Sequence, residues 1–491
     1  MGKIKLASAT PFSGAPRINS ASVLGASPGK PIIFRIPVTG ERPIKYSVLG
    51  LPDGLCLSEN VITGKIEKSG NYKTILVCEN SIGRAEKELV FEIAPNNVLI
   101  TPLLGFTTWN AFANKVTQED VINSARNLVK HGISEYGYSY VNLDSGWQYS
   151  YGGELDAIQP NRKFPDMRAM TDEIHSLGLK CGIYSTPMLT AWGCPEEYQS
   201  IPGCTQGEAD IRFNDMMGGI GVIRKERNNA KQWEEWGFDY LKYDWSPTDS
   251  VNADIMRREL LALDRDFGFC VSVVADPAYN KYWSHCTSSY RRNKDSRGYW
   301  ENLVAIYNSY FMHGGMEKWM NKGHYFDLDM LDVGNCVFKN NENFLTEDEM
   351  VVAYSMRAFL NSPIQLSAVL DEISDFDMSL YCNNEVIAIN QDVGFAPSIP
   401  VFRRNEEKPE LDVIEKVLSD GTYAYAIFNM SDANARVAIE FSENSSVRDL
   451  WAKEDLNSCL KLQVEMPEHT VRIFKCGKKV EKIIELVGEE G

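Results

Sequence analysis

Four times between residues 118 and 277 a helical pattern closes on glycine and a short apolar run follows within a few residues. QEDVINSARNLVKHG leads into YSYVNLDSGW, MRAMTDEIHSLG into LKCGIYST, NNAKQWEEWG into FDYLKYDW, and ADIMRRELLALDRDFG into FCVSVVADP. Glycine supplies the left-handed residue that ends a helix, and the apolar runs have the length of buried strands. Repeated strand–helix alternation predicts either a closed (β/α)8 TIM barrel or an open doubly wound sheet. No GxGxxG turn and no P-loop opens any of these helices, so nucleotide cofactors have no support and the barrel is preferred.

Both flanks of this region read differently. KPIIFRIPVTG, IKYSVLG, KTILVCENS and KELVFEIAP are short β-rich runs split by turn residues, which predicts a small immunoglobulin-like β-sandwich over residues 1–98. The barrel is expected over 99–396. DVIEKVLSD, TYAYAIFNMS, ARVAIEF and HTVRIFKC, with a hairpin signal at LSDGTY, predict a C-terminal antiparallel β-sandwich over 397–491, ending in a charged, frayed tail after Lys478. The fold class is therefore multidomain α/β plus all-β.

The composition narrows the partners. With 44% hydrophobic and 24% charged residues the 491-residue chain is an ordinary globular protein, and its net charge of −17 argues against nucleic acid or an anionic membrane. No apolar run reaches the ~20 residues of a membrane span, and the N-terminus lacks the apolar core of a signal peptide. Six histidines without metal-ligand spacing predict no metal site. Eleven cysteines, an odd number without a CxxC pair, are not a disulfide framework; Cys194 and Cys204 are compatible with a disulfide or with two free thiols.

The run GFDYLKYDWS, Gly237 to Ser246, poses the chemical question. Alternation in a strand turns Tyr240, Lys242 and Asp244 to one face and Leu241 and Tyr243 to the other. Two charges on a buried face are costly unless they pair or do chemistry. In a barrel of this kind, reacting groups come from the C-terminal ends of strands. The expected strand ends are acidic: Asp144, Asp244, Asp276, and Asp327 with Asp329, while Asp295 lies in SSYRRNKDSRGYW beside Arg291 and Arg292. Taken singly, each aspartate reads as a helix cap or a turn. Gathered at one barrel mouth with Lys242, they fit a paired-carboxylate site for retaining glycoside hydrolysis. Trp109, Trp147, Tyr184 and Trp245, also near strand ends, are candidates to stack on a pyranose face, although each taken singly reads first as core or loop packing and only second as a platform.

These motifs resemble glycoside hydrolase family 27, the retaining α-galactosidases and α-N-acetylgalactosaminidases. LLGFTTWNAF is similar to the family's GWNSW strand, NRKFPDMRAMTDEIHSLGLKCGIYS to its RFP…LHSLGLKFGIYSD segment, and YLKYDW to its YLKYDNC nucleophile strand. YRRNKD stands where the family has WR…D, YFDLDML where it has WNDPDML, and VIAINQD matches outright. The resemblance spans about residues 100–478. It implies Asp244 as nucleophile, Asp295 as general acid/base and Arg291 as the group holding the sugar's 2-substituent. Lys242, Asp144, Trp109, Tyr184 and Asp329 would line the sugar subsite. It also implies no cofactor, a glycoside or oligosaccharide substrate, and a periplasmic or secreted location; oligomeric state is left open.

Three departures bear on the sugar. Ser145 follows Asp144 where α-galactosidases carry a second adjacent aspartate for O4 and O6. Ser246 replaces the cysteine after the nucleophile, so the family's disulfide there cannot form. VVADPAYN, aligned on its proline, puts Ala275 and Ala278, with Asp276 between them, in the loop that reads the 2-position, and small residues there leave room for an N-acetyl group. The leading expectation is a retaining exo-acting hydrolase of terminal α-D-galactosyl-type residues. The same mechanism on α-N-acetylgalactosaminides, β-L-arabinopyranosides or α-glucosides is the alternative, and a non-catalytic carbohydrate-binding protein is the alternative of another class.

Overall fold

Eight parallel strands form the central sheet of the computed structural model: β1 (Leu104–Thr107), β2 (Tyr140–Asn142), β3 (Lys180–Ser185), β4 (Tyr240–Asp244), β5 (Gly268–Ser272), β6 (Ser289–Arg291), β7 (Tyr325–Asp327) and β8 (Ile364–Leu366). The structure describes residues 3–187, 209–214, 217–221, 224–245, 248–272, 274–312, 315 and 318–486, with 209–214 and 217–221 as backbone only. Cys194, Cys204 and Ser246 lie outside the described residues. From β1 to β7 each strand pairs with the next in chain order. β8 returns to β1 through Leu104↔Ile364 and Phe106↔Leu366, and the last seam carries the parallel bridge Leu331↔Leu366. The closed barrel is therefore the fold.

Helices α1 (Gln118–Lys130), α2 (Met167–Ser176), α3 (Glu226–Trp236), α4 (Ser250–Leu261), α5 (Asn280–Cys286), α6 (Trp300–Phe311) and α7 (Glu347–Phe359) connect the strands. Their starts are written in the sequence. Thr117 with Asp120 and Thr346 with Glu349 form capping boxes, while Asp166 and Asp249 cap α2 and α4. Gly132, Gly178 and Gly237 follow α1, α2 and α3 with φ of 74°, 76° and 94°. The fourth expected glycine stop differs: α4 ends at Leu261, and Gly268 opens β5. A Cβ there would lie 2.6 Å from Leu99 and 2.7 Å from Tyr240, so the glycine serves packing at the barrel floor.

The C-terminal sheet has seven strands. Its long strand Ala435–Asp449 pairs with Glu454–Met466 from end to end with two register shifts; its first part also pairs with Val480–Glu485 and its last with Thr470–Cys476. The sheet thereby folds over itself into a sandwich. Alternation in Tyr423–Asn429 sends Ala424, Ala426 and Phe428 into the barrel's hydrophobic core and Tyr425 and Ile427 into the sandwich core. The expected frayed tail is corrected: Val480–Glu485 is a strand, because Val480 and Ile483 cover the sandwich core while the charges between them face solvent.

Before the barrel, a four-stranded and a three-stranded sheet enclose a core that includes Ile62, Leu76, Leu89 and Phe91. They are anchored on Glu135, 1% exposed, at the foot of the barrel. Its carboxylate accepts from Arg35 Nη2 at 2.8 Å and from the Val38 N–H at 3.0 Å, and Arg42 lies 3.3 Å away. A buried carboxylate with two guanidinium partners and a backbone donor holds the two bodies in one register. No described helix is long and apolar enough to cross a membrane.

Candidate active site

Strand alternation sets the site. In β4, Leu241, Tyr243 and the following Trp245 pack into the core between barrel and helices, whereas Lys242 and Asp244 turn into the mouth. Lys242 pairs in register with Tyr184 of β3, bringing the ammonium 5.7 Å over the tyrosine ring. The mouth holds a cavity of about 600 Å3 lined by Trp109, Asp144, Ser145, Tyr184, Lys242, Asp244, Arg291, Asp295 and Asp329. These nine expected residues come from the ends of β1, β2, β3, β4, β6 and β7 and from the loop after β6.

Two ion-pair systems organise them. Lys242 Nζ donates to Asp144 Oδ2 at 2.7 Å, and Asp144 is oriented by the Ser145 N–H, 2.8 Å from its Oδ1. Across the cavity, Arg291 Nη1 donates to Asp329 Oδ1 at 2.9 Å and Nη2 to Asp295 Oδ1 at 2.6 Å. Asp329 has a left-handed φ of 72°, unfavourable for a residue with a Cβ. Buried Arg357 holds that turn, donating to the carbonyls of Leu328, Asp329 and Met330 at 2.8–3.0 Å. Asp329 Oδ2 also accepts the Ser296 N–H at 2.8 Å and so ties the Asp295 loop to β7.

Asp244 differs from its neighbours. Tyr184 donates its hydroxyl proton to Oδ2 at 3.0 Å, while the buried Oδ1 has no hydrogen-bond partner among the described residues. An oxygen shielded from solvent without a donor adds to the cost of charging this carboxyl. Burial lifts the carboxyl to about 6, the nearby positive charges of Lys242 and Arg291 limiting the rise. Burial also works against the charge of Lys242, but Asp144, Asp329 and Asp244 outweigh it and hold the ammonium protonated. For Asp295, half exposed, burial is outweighed by Arg291, Lys242 and Arg297, and its carboxyl lies below the usual range. Deeper in the wall, Asp332 is pushed by burial to about 7 and accepts from the Gly298 N–H at 2.9 Å and from Asn110 Nδ2.

Three expected residues do not line the cavity. Ala275 is buried in the core, and Asp276 and Ala278 are exposed, because Asp276 caps the turn Pro277–Tyr279 by accepting the Ala278 N–H at 2.9 Å. Trp147 and Trp245 are core residues, the former donating Nε1–H to the Tyr184 carbonyl at 2.9 Å. Arg292 is half-buried beside the site and does not line it. Conversely, Asn110, Lys294, Ser296, Arg297, Tyr299, Asn302, Met330 and Phe338 line the cavity without having been singled out. Five of these eight, Lys294, Ser296, Arg297, Tyr299 and Asn302, lie in RRNKDSRGYW or just beyond it, where the run of cations was the available signal. Among the described residues no group of His, Cys, Asp or Glu side chains is arranged to hold a metal ion.

The family model described as alpha galactosidase A matches residues 101–211 and 203–392, and the alpha galactosidase C-terminal beta sandwich domain matches 408–476. The chain belongs to the alpha-galactosidase family. It is a glycoside hydrolase. Among its relatives in this family, Alpha-galactosidase A of Cellvibrio japonicus is 27% identical over 410 residues, covering 76% of this chain and 91% of that protein. Alpha-galactosidase 2 of Arabidopsis thaliana is 27% identical over 387 residues, with 75% and 87% covered. A solved structure from Bacteroides fragilis, 26% identical, superposes with a TM-score of 0.83 over 95% of this chain and 99% of its own. Alpha-galactosidase I of Mortierella vinacea shares the fold, with a TM-score of 0.65 at 23% identity over 78% of this chain and 99% of that one. The two family models thus include every barrel strand and most of the C-terminal sandwich, and the two N-terminal sheets precede them, whereas the Bacteroides fragilis structure, at 95% of this chain, extends over those sheets as well.

Proposed function

We propose that this hydrolase removes terminal α-D-galactosyl-type residues by double displacement, with Asp244 as nucleophile and Asp295 as acid/base. The observation that carries the reading is two carboxylates, Asp244 and Asp295, lining one sugar-sized cavity, the second held by Arg291 and the first between the charges of Lys242 and Arg291. In the first step an ionised Asp244 oxygen bonds to the anomeric carbon while Asp295 gives its proton to the departing glycosidic oxygen. In the second, Asp295 takes a proton from water, the water oxygen bonds to the anomeric carbon, and the glycosyl ester to Asp244 breaks. With its carboxyl at about 6, Asp244 is ionised at neutral pH.

Acid duty requires a proton on Asp295, which the Arg291 pair opposes in the free site. A sugar hydroxyl accepting from Arg291 Nη2 and a leaving group covering the half-exposed carboxyl both act against that pair and raise Asp295. Substrate binding therefore prepares the acid. Lys242 and Asp144, locked together at 2.7 Å, present a donor and an acceptor to ring hydroxyls without ordering cost at binding.

Ser145 favours one second reading. A hydroxyl in place of a second carboxylate demands less of the sugar's C6 side, and β-L-arabinopyranose has the galactose ring without its C6 group. A neighbour from Geobacillus stearothermophilus named as a β-L-arabinopyranosidase shares the fold at 21% identity. The alanines that motivated N-acetylgalactosamine lie away from the cavity, and that reading loses its motive. A panel of 4-nitrophenyl α-galactoside, α-N-acetylgalactosaminide, α-glucoside and β-L-arabinopyranoside, with NMR of the first sugar anomer released, tests the proposal. Fastest release from the α-galactoside with retained configuration is expected. An inverted first product, or no release from any of the four, refutes it.

A further inference from the structure

Apart from Arg291 and Asp295, the outer wall of the cavity has no duty in the reaction just described. It is formed by the loop Arg291–Tyr299, RRNKDSRGY, which gathers four cations and one acid in a chain of net charge −17. Arg291 is committed to Asp329 and Asp295. Lys294 and Arg297 are exposed, and both line the cavity. Among the described residues no carboxylate stands within ion-pair distance of Lys294, and the one beside Arg297 is Asp295, at 3.5 Å.

The loop that presents them is tied down. The Ser296 and Gly298 N–H groups donate to Asp329 and Asp332 at 2.8 and 2.9 Å. Asn302 grips it twice, accepting the Arg297 N–H at 2.8 Å and donating to the Asp295 carbonyl at 3.0 Å. The two cations are thus held at a fixed rim rather than on a loose surface. The rings of Tyr299 and Phe338, which line the same cavity, offer faces for a second sugar.

Resting on the proposed α-galactosidase activity, we infer that this rim is a leaving-group subsite for an anionic sugar, whose carboxylate or sulfate is bound by Lys294 and Arg297. The anion belongs to the leaving group because these cations lie on the loop that carries Asp295, the residue that protonates the departing oxygen. The inner cations, Lys242 and Arg291, already face carboxylates and have no charge to offer a second anion. An anion at the rim meets Lys294, which has no carboxylate within ion-pair distance among the described residues, and Arg297, whose contact with Asp295 is a loose 3.5 Å, an attraction worth several-fold in rate at low salt and less as salt screens it.

The test compares kcat/KM of the full chain on matched substrates: a nitrophenyl α-galactoside bearing a ring carboxylate and its methyl ester, then digalactosides whose leaving sugar is neutral, a uronate or a 6-sulfate. The anionic member of each pair is expected to be preferred by about fivefold at low salt, the preference shrinking toward unity at ~0.5 M NaCl. Lys294→Gln and Arg297→Gln should each lower the anionic-to-neutral ratio, and together abolish it. Preference in the uronate arm, the sulfate arm or both supports the subsite and identifies its anion. If Arg297 only steadies Asp295, its variant moves the pH profile on both substrates alike and leaves the ratio unchanged. A ratio near one in an active wild-type enzyme, or one untouched in the double variant, overturns the inference while leaving the activity standing. Failure on every α-galactoside refutes the activity and the subsite with it.

Discussion

Asp244→Asn should both silence the enzyme and stabilise it. The carboxyl is 7% exposed, and burial lifts it from 3.8 to about 6. An acid whose folded value exceeds its unfolded one binds its proton more tightly in the native state. The stability it confers is full below pH ~4 and is lost as pH rises through about 6. A shift of roughly two units corresponds to about 3 kcal/mol of destabilisation at pH 7. An uncharged asparagine of the same shape escapes that loss at pH 7 but gains nothing at pH 4, where the wild-type group is already neutral. At ~2 cal/mol/K of unfolding entropy per residue, the melting temperature rises by roughly 3 °C at pH 7. Differential scanning calorimetry of both proteins at pH 7 and pH 4 reads this, and turnover falls on the order of 10^4-fold. A variant that melts below wild type at pH 7, or with the same offset at both pH values, refutes the desolvation argument.

Three further outcomes follow from the same contacts. Tyr184→Phe removes the hydroxyl that donates to Asp244 Oδ2, disfavours its ionised form, and should move the acid limb of kcat/KM upward by about one pH unit; an unmoved limb would contradict the hydrogen bond's role. Asp295→Asn should retain substantial first-step activity on a dinitrophenyl galactoside, whose leaving group needs no proton, and recover turnover with azide, whereas equal loss on all substrates would deny Asp295 the acid role. Glu135→Ala strips Arg35, Arg42 and the Val38 N–H of their shared acceptor and should cost about 3 kcal/mol, read as earlier proteolytic release of residues 1–98 while kcat on an unchanged barrel persists.

How much of this was legible depends on what each residue answers to. Strand–helix alternation, capping residues and glycine stops are local, so the barrel could be read from the chain, as could the inward turn of Lys242 and Asp244. The same alternation argues against Trp245 as a sugar platform, since it is the next residue after Asp244 and faces the opposite way. Ala275, Asp276 and Ala278 were misplaced for another reason. β5 ends at Ser272, and beyond it the path of the loop, set by the Asp276 cap, decides which side chains reach the cavity. Loop paths depend on distant partners: Arg357 reaches from α7 to hold the Asp329 turn, and nothing near Asp329 in sequence announces it. Lys294 and Arg297 lie between these cases, visible as a charge run whose direction only the anchored loop defines.

Trapping the covalent intermediate addresses the central claim most directly. The enzyme is treated with an activated fluoro-galactoside that slows the second step, and the modified peptide is sequenced by mass spectrometry. The account predicts one galactosyl ester, on Asp244, formed at the rate of inactivation and absent from Asp244→Asn. A label on any other residue, or steady turnover with inverted configuration and no ester at all, would contradict it.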